Sequence, residues 1–104
     1  MSKATPKLID LKELDAGVRA VAVEQYEGNI SLTLRELIRK QLGKTWELSL
    51  DNNSKYGTNS ARILIDFREL AVEVKDVADQ LYSGNFSCAV REITRNQLSL
   101  LGKI

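Results

Sequence analysis

The sequence contains no histidine, and its single cysteine, Cys88, cannot form an intrachain disulfide. Histidine is the most frequent general base and a common metal ligand, so the usual catalytic and metal-binding arrangements are missing. A glycine-rich phosphate loop and an acidic cluster with calcium-loop spacing are missing as well. We therefore predict no catalytic residues, no metal site and no cofactor, and hence a protein that is not an enzyme. Cys88 should pack as a small apolar side chain.

Long apolar runs are also absent from the chain. No stretch approaches the ~20 apolar residues that a helix needs to span a bilayer. The N-terminal segment MSKATPK lacks the hydrophobic stretch of a signal peptide. We therefore expect a cytoplasmic protein that does not bind membranes.

A large surplus of positive or negative charge is also lacking. The chain has 15 lysines and arginines against 14 aspartates and glutamates, which gives a formal net charge of +1. Proteins that bind nucleic acid usually carry a basic surplus for phosphate contacts, so this near-neutral charge disfavours nucleic acid as a partner. A local patch of arginines is compatible with this low net charge. Another protein is the expected partner, and a homodimer is an open alternative.

What the sequence does contain is a tandem repeat. Residues 8–42 align without a gap to residues 64–98 at an offset of 56, with identity at 17 of 35 positions. A repeat predicts two copies of one structural unit, since a single small unit cannot cover its own apolar face. We predict one domain over residues 1–104, with repeat 1 at 8–42, a linker at 43–63 and repeat 2 at 64–98.

Each repeat opens with the pattern of an amphipathic helix. Asp10 and Asp66 precede the pattern, and Glu13 and Glu69 follow three residues later, which is the spacing of a capping box. The helix should be roughly 16 residues long. Its apolar residues recur at alternating three-and-four spacing along one face; they are Leu11, Leu14, Val18 and Val21 in repeat 1, and Phe67, Leu70, Val74, Val77 and Leu81 in repeat 2.

A turn and a second helix follow in both repeats. The Gly-Asn pairs after Tyr26 and Tyr82 predict the end of the first helix, because glycine readily adopts a left-handed conformation. The two tyrosines should close the end of the core. Ser31 and Ser87 are the candidate caps of a second helix of roughly 12 residues. Its buried stripe would be Leu34, Leu37, Ile38 and Leu42 in repeat 1, and Val90, Ile93, Leu98 and Leu101 in repeat 2.

The segment between the repeats has a different pattern. Trp46, Leu48 and Leu50 alternate with polar residues, which is typical of an edge strand, and we expect the lone tryptophan to be buried. The next ten residues, DNNSKYGTNS, are nearly all turn formers. The following ARILID either forms a returning strand or leads directly into the third helix.

These patterns together predict a mainly α fold. The tandem duplication of a helical hairpin should pack as a pseudo-twofold four-helix core. Short strands could form in the linker and before the long helices.

The repeated arginines are the best candidates for a functional site. Arg35 and Arg39 are matched by Arg91 and Arg95, and each pair stands four residues apart on one flank of the second helix. We predict that these four residues bind a partner. A structural alternative is that Arg35 and Arg91 form ion pairs within the protein; the available carboxylates are Glu13 and Glu69 across the hairpin, or Glu36 and Glu92 nearby.

The chain contains LRELIRKQLGKTWELS and, after a polar gap, ARILIDFRELAVEVKD. These two segments resemble the effector-associated domains of bacterial conflict systems, which are small death-like helical adaptors. It implies a helical module that recruits other proteins without catalysis.

A second resemblance lies in the second repeat, and the residues that carry it are Leu70, Val74, Val77, Ala78, Gly84, Ser87, Val90, Arg91, Glu92 and Ile93. Their pattern resembles the helix pair of ribbon-helix-helix DNA-binding proteins. The resemblance implies that the two repeats form an intrachain version of that family's dimer, in which two paired strands enter the major groove of DNA.

The residues before each long helix allow two registers for such a ribbon. In one register the outward residues are Lys7, Ile9, Ile63 and Ile65, and isoleucine cannot read base edges by hydrogen bonding. In the other register the outward residues are Pro6, Leu8, Asp10, Arg62, Leu64 and Asp66. Aspartate near phosphate and proline in a paired strand are both unfavourable.

The sequence therefore favours a non-enzymatic module that binds another protein, acting as an adaptor. The alternative is a DNA-binding transcriptional regulator of tandem ribbon-helix-helix type. Two strands paired across the pseudo-twofold axis would favour the alternative.

Overall fold

A computed structural model describes residues 6–48 and 61–103. The chain folds into two strand-helix-helix units, so the mainly α prediction is confirmed. The first unit consists of β1 (Pro6–Asp10), α1 (Leu14–Gln25) and α2 (Ile30–Leu42). The second consists of β2 (Arg62–Asp66), α3 (Leu70–Leu81) and α4 (Phe86–Leu100). A short 3-10 helix, Thr45–Glu47, follows α2.

The two strands form an antiparallel ribbon that joins the units. Leu8 lies opposite Leu64, Lys7 lies opposite Ile65, and Ile9 lies opposite Ile63. Leu8 and Leu64 are equivalent positions of the repeat, so the pseudo-twofold axis passes between them at the centre of the ribbon. The predicted strands before the long helices are therefore present, and they pair with each other.

A turn separates each strand from its helix, and this corrects the predicted capping box. The carboxylate of Asp10 accepts a hydrogen bond from the Lys12 amide at 3.0 Å, and Asp66 accepts one from the Arg68 amide at 3.1 Å. Lys12 and Arg68 have positive φ angles of 51° and 53°, so the chain cannot yet be helical there. The helices begin at residues 14 and 70, without a side-chain cap, and are 12 residues long instead of 16.

The turn between the helices occurs where the Gly-Asn pairs predict it. Gly28 and Gly84 both adopt a φ of 82°, a conformation that favours glycine. Asn29 and Asn85 then cap the second helices, and each side chain accepts a hydrogen bond from the amide three residues ahead. The prediction that the serines two residues later are the caps was wrong, because asparagine already satisfies that amide.

One core lies between the ribbon and the four helices. The predicted stripes are buried, except that Leu101 is 38% exposed and Leu42 and Leu81 are partly buried. Cys88 is buried as predicted. Tyr82 is also buried, and burial, followed by the charge of Glu92, raises the pKa of its phenol. The largest fully buried side chains include Ile9 and Ile65 from the ribbon, with Leu11, Leu34, Leu37, Ile38, Phe67, Ile93 and Leu98.

Trp46 contradicts two predictions about the linker. It lies in the 3-10 helix instead of an edge strand, and it is 77% exposed instead of buried. The core is already filled by aliphatic side chains and by Phe67, which packs edge to face on Phe86 with ring centroids 5.2 Å apart. The predicted strand position Leu50 lies outside the described residues.

Candidate nucleic-acid interface

The outer side of the ribbon is a solvent-facing surface built from alternate residues of the two strands. We call it the ribbon face; its residues are Pro6, Leu8, Asp10, Arg62, Leu64 and Asp66. Ile9 and Ile65 on the opposite side are 1% and 0% exposed, whereas Leu8 and Leu64 are 58% and 60% exposed. Because strand side chains alternate, burying the two isoleucines forces the two leucines outward. The structure thus adopts the second of the two registers that the sequence allows.

The two aspartates of the ribbon face are occupied at the ends of the strands. Besides the Lys12 amide, Asp10 accepts a hydrogen bond from the Ala61 amide at 2.9 Å. Its carboxylate lies 3.9 Å from the Lys12 ammonium, and the Asp66 carboxylate lies 3.6 Å from the Arg68 guanidinium. Both negative charges are therefore balanced by local donors.

The ribbon region carries a small surplus of positive charge. Residues 6–12 and 62–68 contain four cations and two carboxylates, so this region carries +2 and the rest of the chain carries −1. We call these cations the ribbon cations; they are Lys7, Lys12, Arg62 and Arg68. Lys7, Arg62 and Arg68 are exposed, and the Lys7 ammonium lies 5.1 Å from the centre of the Phe86 ring at the start of α4. The ribbon region is therefore positive, although the whole chain carries only +1.

The second helices of the two units begin beside the ribbon. The hydroxyl of Ser31, in the first turn of α2, accepts a hydrogen bond from the Asp66 amide at 3.3 Å. Phe86 begins α4 and contacts Lys7 of β1. Helix N-termini carry a partial positive charge, so both ends add to the positive potential near the ribbon.

Two of the four predicted partner-binding arginines hold the ribbon in place. Arg35 of α2 donates a hydrogen bond to the carbonyl of Asp66 at 2.7 Å. Arg91 of α4 donates one to the carbonyl of Asp10 at 3.1 Å. Each arginine thus binds the last residue of the other unit's strand, and Arg35 is only 7% exposed. The repeat retains this arginine at a position where it links the two units.

The other two arginines lie one turn further along their helices. Arg39 pairs with Glu36 and, at 3.1 Å, with Glu69, and its side chain is 44% exposed. The pKa of Arg39 is raised, chiefly by the hydrogen bond to Glu36. Pairing with glutamates was predicted for Arg35 and Arg91, whereas the structure shows it at Arg39. Arg95, its repeat equivalent, is partly buried. The structure does not gather the four arginines into one cluster, because Arg35 and Arg91 bind opposite ends of the ribbon.

A buried polar contact at the ends of α2 and α4 was missed by sequence reasoning. Gln41 is fully buried, and its side-chain oxygen accepts hydrogen bonds from Gln97 at 2.7 Å and Asn96 at 2.6 Å. Gln41 and Gln97 are repeat equivalents, so their contact lies on the pseudo-twofold axis. The signal was a glutamine that both repeats retain between apolar positions. Its role is to fix how the two units pack.

Comparison with known proteins assigns the chain to no family. No protein-family model matches the chain, and neither a curated protein nor a solved structure matches it.

Within residues 6–48 and 61–103, no group of three or more cysteine, aspartate or glutamate side chains could hold a metal ion. None of the helices in that part of the chain is long and apolar enough to cross a membrane.

Proposed function

We propose that this protein binds double-stranded DNA by placing the ribbon face in the major groove. The observation that carries the proposal is the antiparallel ribbon centred on the pseudo-twofold axis, with Leu8 opposite Leu64 and both exposed. The major groove is wide enough for a two-stranded ribbon, and several DNA-binding proteins use one there. The arrangement supports the tandem ribbon-helix-helix interpretation.

The distribution of charge supports the same proposal. Phosphate contacts supply most of the affinity of proteins for DNA, and they require cations at the contact surface. The ribbon cations and the N-termini of α2 and α4 meet that requirement locally, although the whole chain carries only +1. One objection from the sequence was aspartate near phosphate, beside proline in a paired strand and the low net charge. That objection is weakened, because Asp10 and Asp66 are balanced by neighbouring donors.

The salt dependence of DNA binding tests this proposal. We expect a fluorescently labelled 20-base-pair duplex of mixed sequence to bind, with log K falling linearly with log salt concentration. The ribbon region carries a net charge of +2, so neutralising two phosphates gives a slope of about −2. The substitution Arg62→Gln/Arg68→Gln should reduce the slope by about 2, since each lost phosphate contact removes about 1. Fluorescence anisotropy between 50 and 200 mM salt measures both quantities.

The matched control removes the same charge elsewhere. Lys40 and Lys44 are exposed at the C-terminal end of α2, away from the end that contacts the ribbon. The variant Lys40→Gln/Lys44→Gln should keep the wild-type slope. An equal loss in both variants would show that only net charge matters, and the absence of binding at low salt would reject the proposal.

A second candidate function is protein binding through the same surface. The observation that favours it is the apolar centre of the ribbon face, where two leucines are more than half exposed. Leu8 and Leu64 are the residues that test this function on the ribbon face. Of the predicted partner-binding arginines, Arg39 and Arg95 can be replaced without removing the hydrogen bonds that Arg35 and Arg91 donate to the ribbon. The ratio of absorbance at 260 and 280 nm after purification separates the two functions: DNA binding predicts copurified nucleic acid, and protein binding predicts none.

A further inference from the structure

We infer that the centre of the ribbon face recognises the 5-methyl groups of thymine. This inference rests on the proposed function, because it concerns which bases the ribbon would contact in the major groove. It starts from Leu8 and Leu64, which occupy the centre of the ribbon.

The two leucines form one apolar patch. Residues directly opposite in an antiparallel pair have Cβ atoms about 4.5–5.5 Å apart. Leu8 and Leu64 stand in that relation and are 58% and 60% exposed, so their side chains lie together on the outer side of the ribbon. Both repeats retain leucine at the centre of the ribbon, so the patch combines equivalent residues of the two units.

Leucine can favour only one feature of the major-groove edge. Guanine, cytosine and adenine present hydrogen-bond donors and acceptors there, and thymine presents an acceptor together with a methyl group. A leucine placed against the polar groups would remove them from water without replacing their hydrogen bonds, which is unfavourable. A leucine placed against the thymine methyl group buries apolar surface of both the side chain and the base. The chemistry of the patch therefore selects thymine.

The position of the patch makes this contact central to the site. The pseudo-twofold axis passes between the two leucines, so they would lie over the middle base pairs, one toward each strand of the duplex. The exposed cations Arg62 and Arg68 flank the patch. Phosphate contacts by the cations would hold the ribbon in the groove while the leucines select the central bases.

Removal of the thymine methyl group alone provides the test. The probes are a duplex of alternating adenine and thymine, 20 base pairs long, and the same duplex with deoxyuridine replacing thymine. Base pairing is retained, and only the methyl groups are lost. We expect the unaltered protein to bind the thymine duplex about fourfold more tightly per contacted methyl group, and on the order of tenfold more tightly in total.

A second pair of probes adds the same methyl group to cytosine. Replacing cytosine with 5-methylcytosine in an alternating guanine-cytosine duplex should strengthen binding. The variant Leu8→Ala/Leu64→Ala should lose most of the discrimination in both pairs. Both leucines are exposed, so this variant should fold; circular dichroism checks that it does, and the comparison of duplexes with the unaltered protein does not depend on it.

The possible outcomes separate the inference from the proposed function. Equal affinity for thymine and uracil duplexes would overturn the inference while leaving DNA binding in place. Discrimination that persists unchanged in the alanine variant would also overturn it, because the leucines would then not be its source. No binding of any duplex at low salt would reject DNA binding itself, and the inference with it.

Discussion

Arg35 and Arg91 show what a repeated charged residue does in this protein. Each reaches from a second helix to the strand end of the opposite unit and binds a backbone carbonyl there. A guanidinium suits this task, because it stays charged and offers several donors in a fixed plane. The two arginines therefore help to join the two units. This structural role explains why both repeats retain an arginine at the position.

We predict that Arg35→Ala destabilises the protein by about 1.5–3 kcal/mol, the usual contribution of a hydrogen bond from a charged group. The loss leaves the Asp66 carbonyl without this donor, and Arg35 itself is buried. Urea unfolding at pH 7, followed by circular dichroism, measures the change. Arg39→Ala is the control, since exposed ion pairs contribute about 0–1 kcal/mol. Similar losses in the two variants would contradict the structural role of Arg35.

At the scale of elements, the turns of the two units are built in the same way. Each strand ends in an aspartate that accepts a hydrogen bond from the amide two residues ahead, and each helix pair is joined through a glycine with positive φ. Each second helix begins at an asparagine cap. Because these features are local, they recur wherever the repeat retains the residues that form them.

The asparagine cap gives a prediction at this scale. Asn85→Ala should lower the free energy of unfolding by about 1 kcal/mol, because the side chain satisfies an amide at the N-terminus of α4. Ser87→Ala is the matched control and should change it by less than about 0.5 kcal/mol, the usual range for substitutions away from such features. Denaturant unfolding compares the two. A larger loss at Ser87 would show that the serine is the true cap.

At the scale of the whole molecule, one chain supplies both strands of the ribbon. A ribbon made by two identical chains presents the same residues in both halves, whereas here the two strands differ in sequence. Arg62 occupies one end of the ribbon face, and its repeat equivalent is Pro6. Arginine can bind guanine with two hydrogen bonds and proline has no side-chain donor, so the two halves of the ribbon have different chemistry.

The proposed DNA binding therefore predicts an asymmetric DNA site with one chain per duplex. In a duplex selected from random sequences for tight binding, replacing guanine by 7-deazaguanine should weaken binding on one side of the centre only. The effect should disappear in Arg62→Ala, because the N7 acceptor then has no arginine to bind it. Anisotropy titrations measure the effect, and sedimentation gives the stoichiometry. A symmetric pattern, or two chains per duplex, would contradict the prediction.

Much of the local structure followed from residue types and their spacing. The repeat predicted two equivalent units, the three-and-four spacing predicted the buried faces, and the Gly-Asn pairs predicted the turns. The cap predictions failed at Asp10, whose carboxylate accepts from the Lys12 amide in a turn before the helix, and at Ser31, because Asn29 caps that helix. Several polar residues near the start of a helix can accept hydrogen bonds from amides there. Only the folded backbone shows which of them has the required geometry.

The candidate site was less predictable from the sequence, because it depends on contacts between distant segments. Both possible registers of the ribbon were visible, yet the choice between them required the core to bury Ile9 and Ile65. The repeated arginines were identified, but their bonds to Asp66 and Asp10 cross 31 and 81 residues of chain. The exposure of Trp46 likewise depended on how completely other side chains filled the core.

The sequence by itself thus determined the duplication, the helices and the apolar faces, because each of these arises from interactions between residues close together in the chain. Tertiary structure alone decided that the two strands pair across the pseudo-twofold axis, that the aspartates are balanced, and that two leucines face the solvent. Those outcomes follow from closing one common core over both units, which fixes the orientation of every side chain on the ribbon at once.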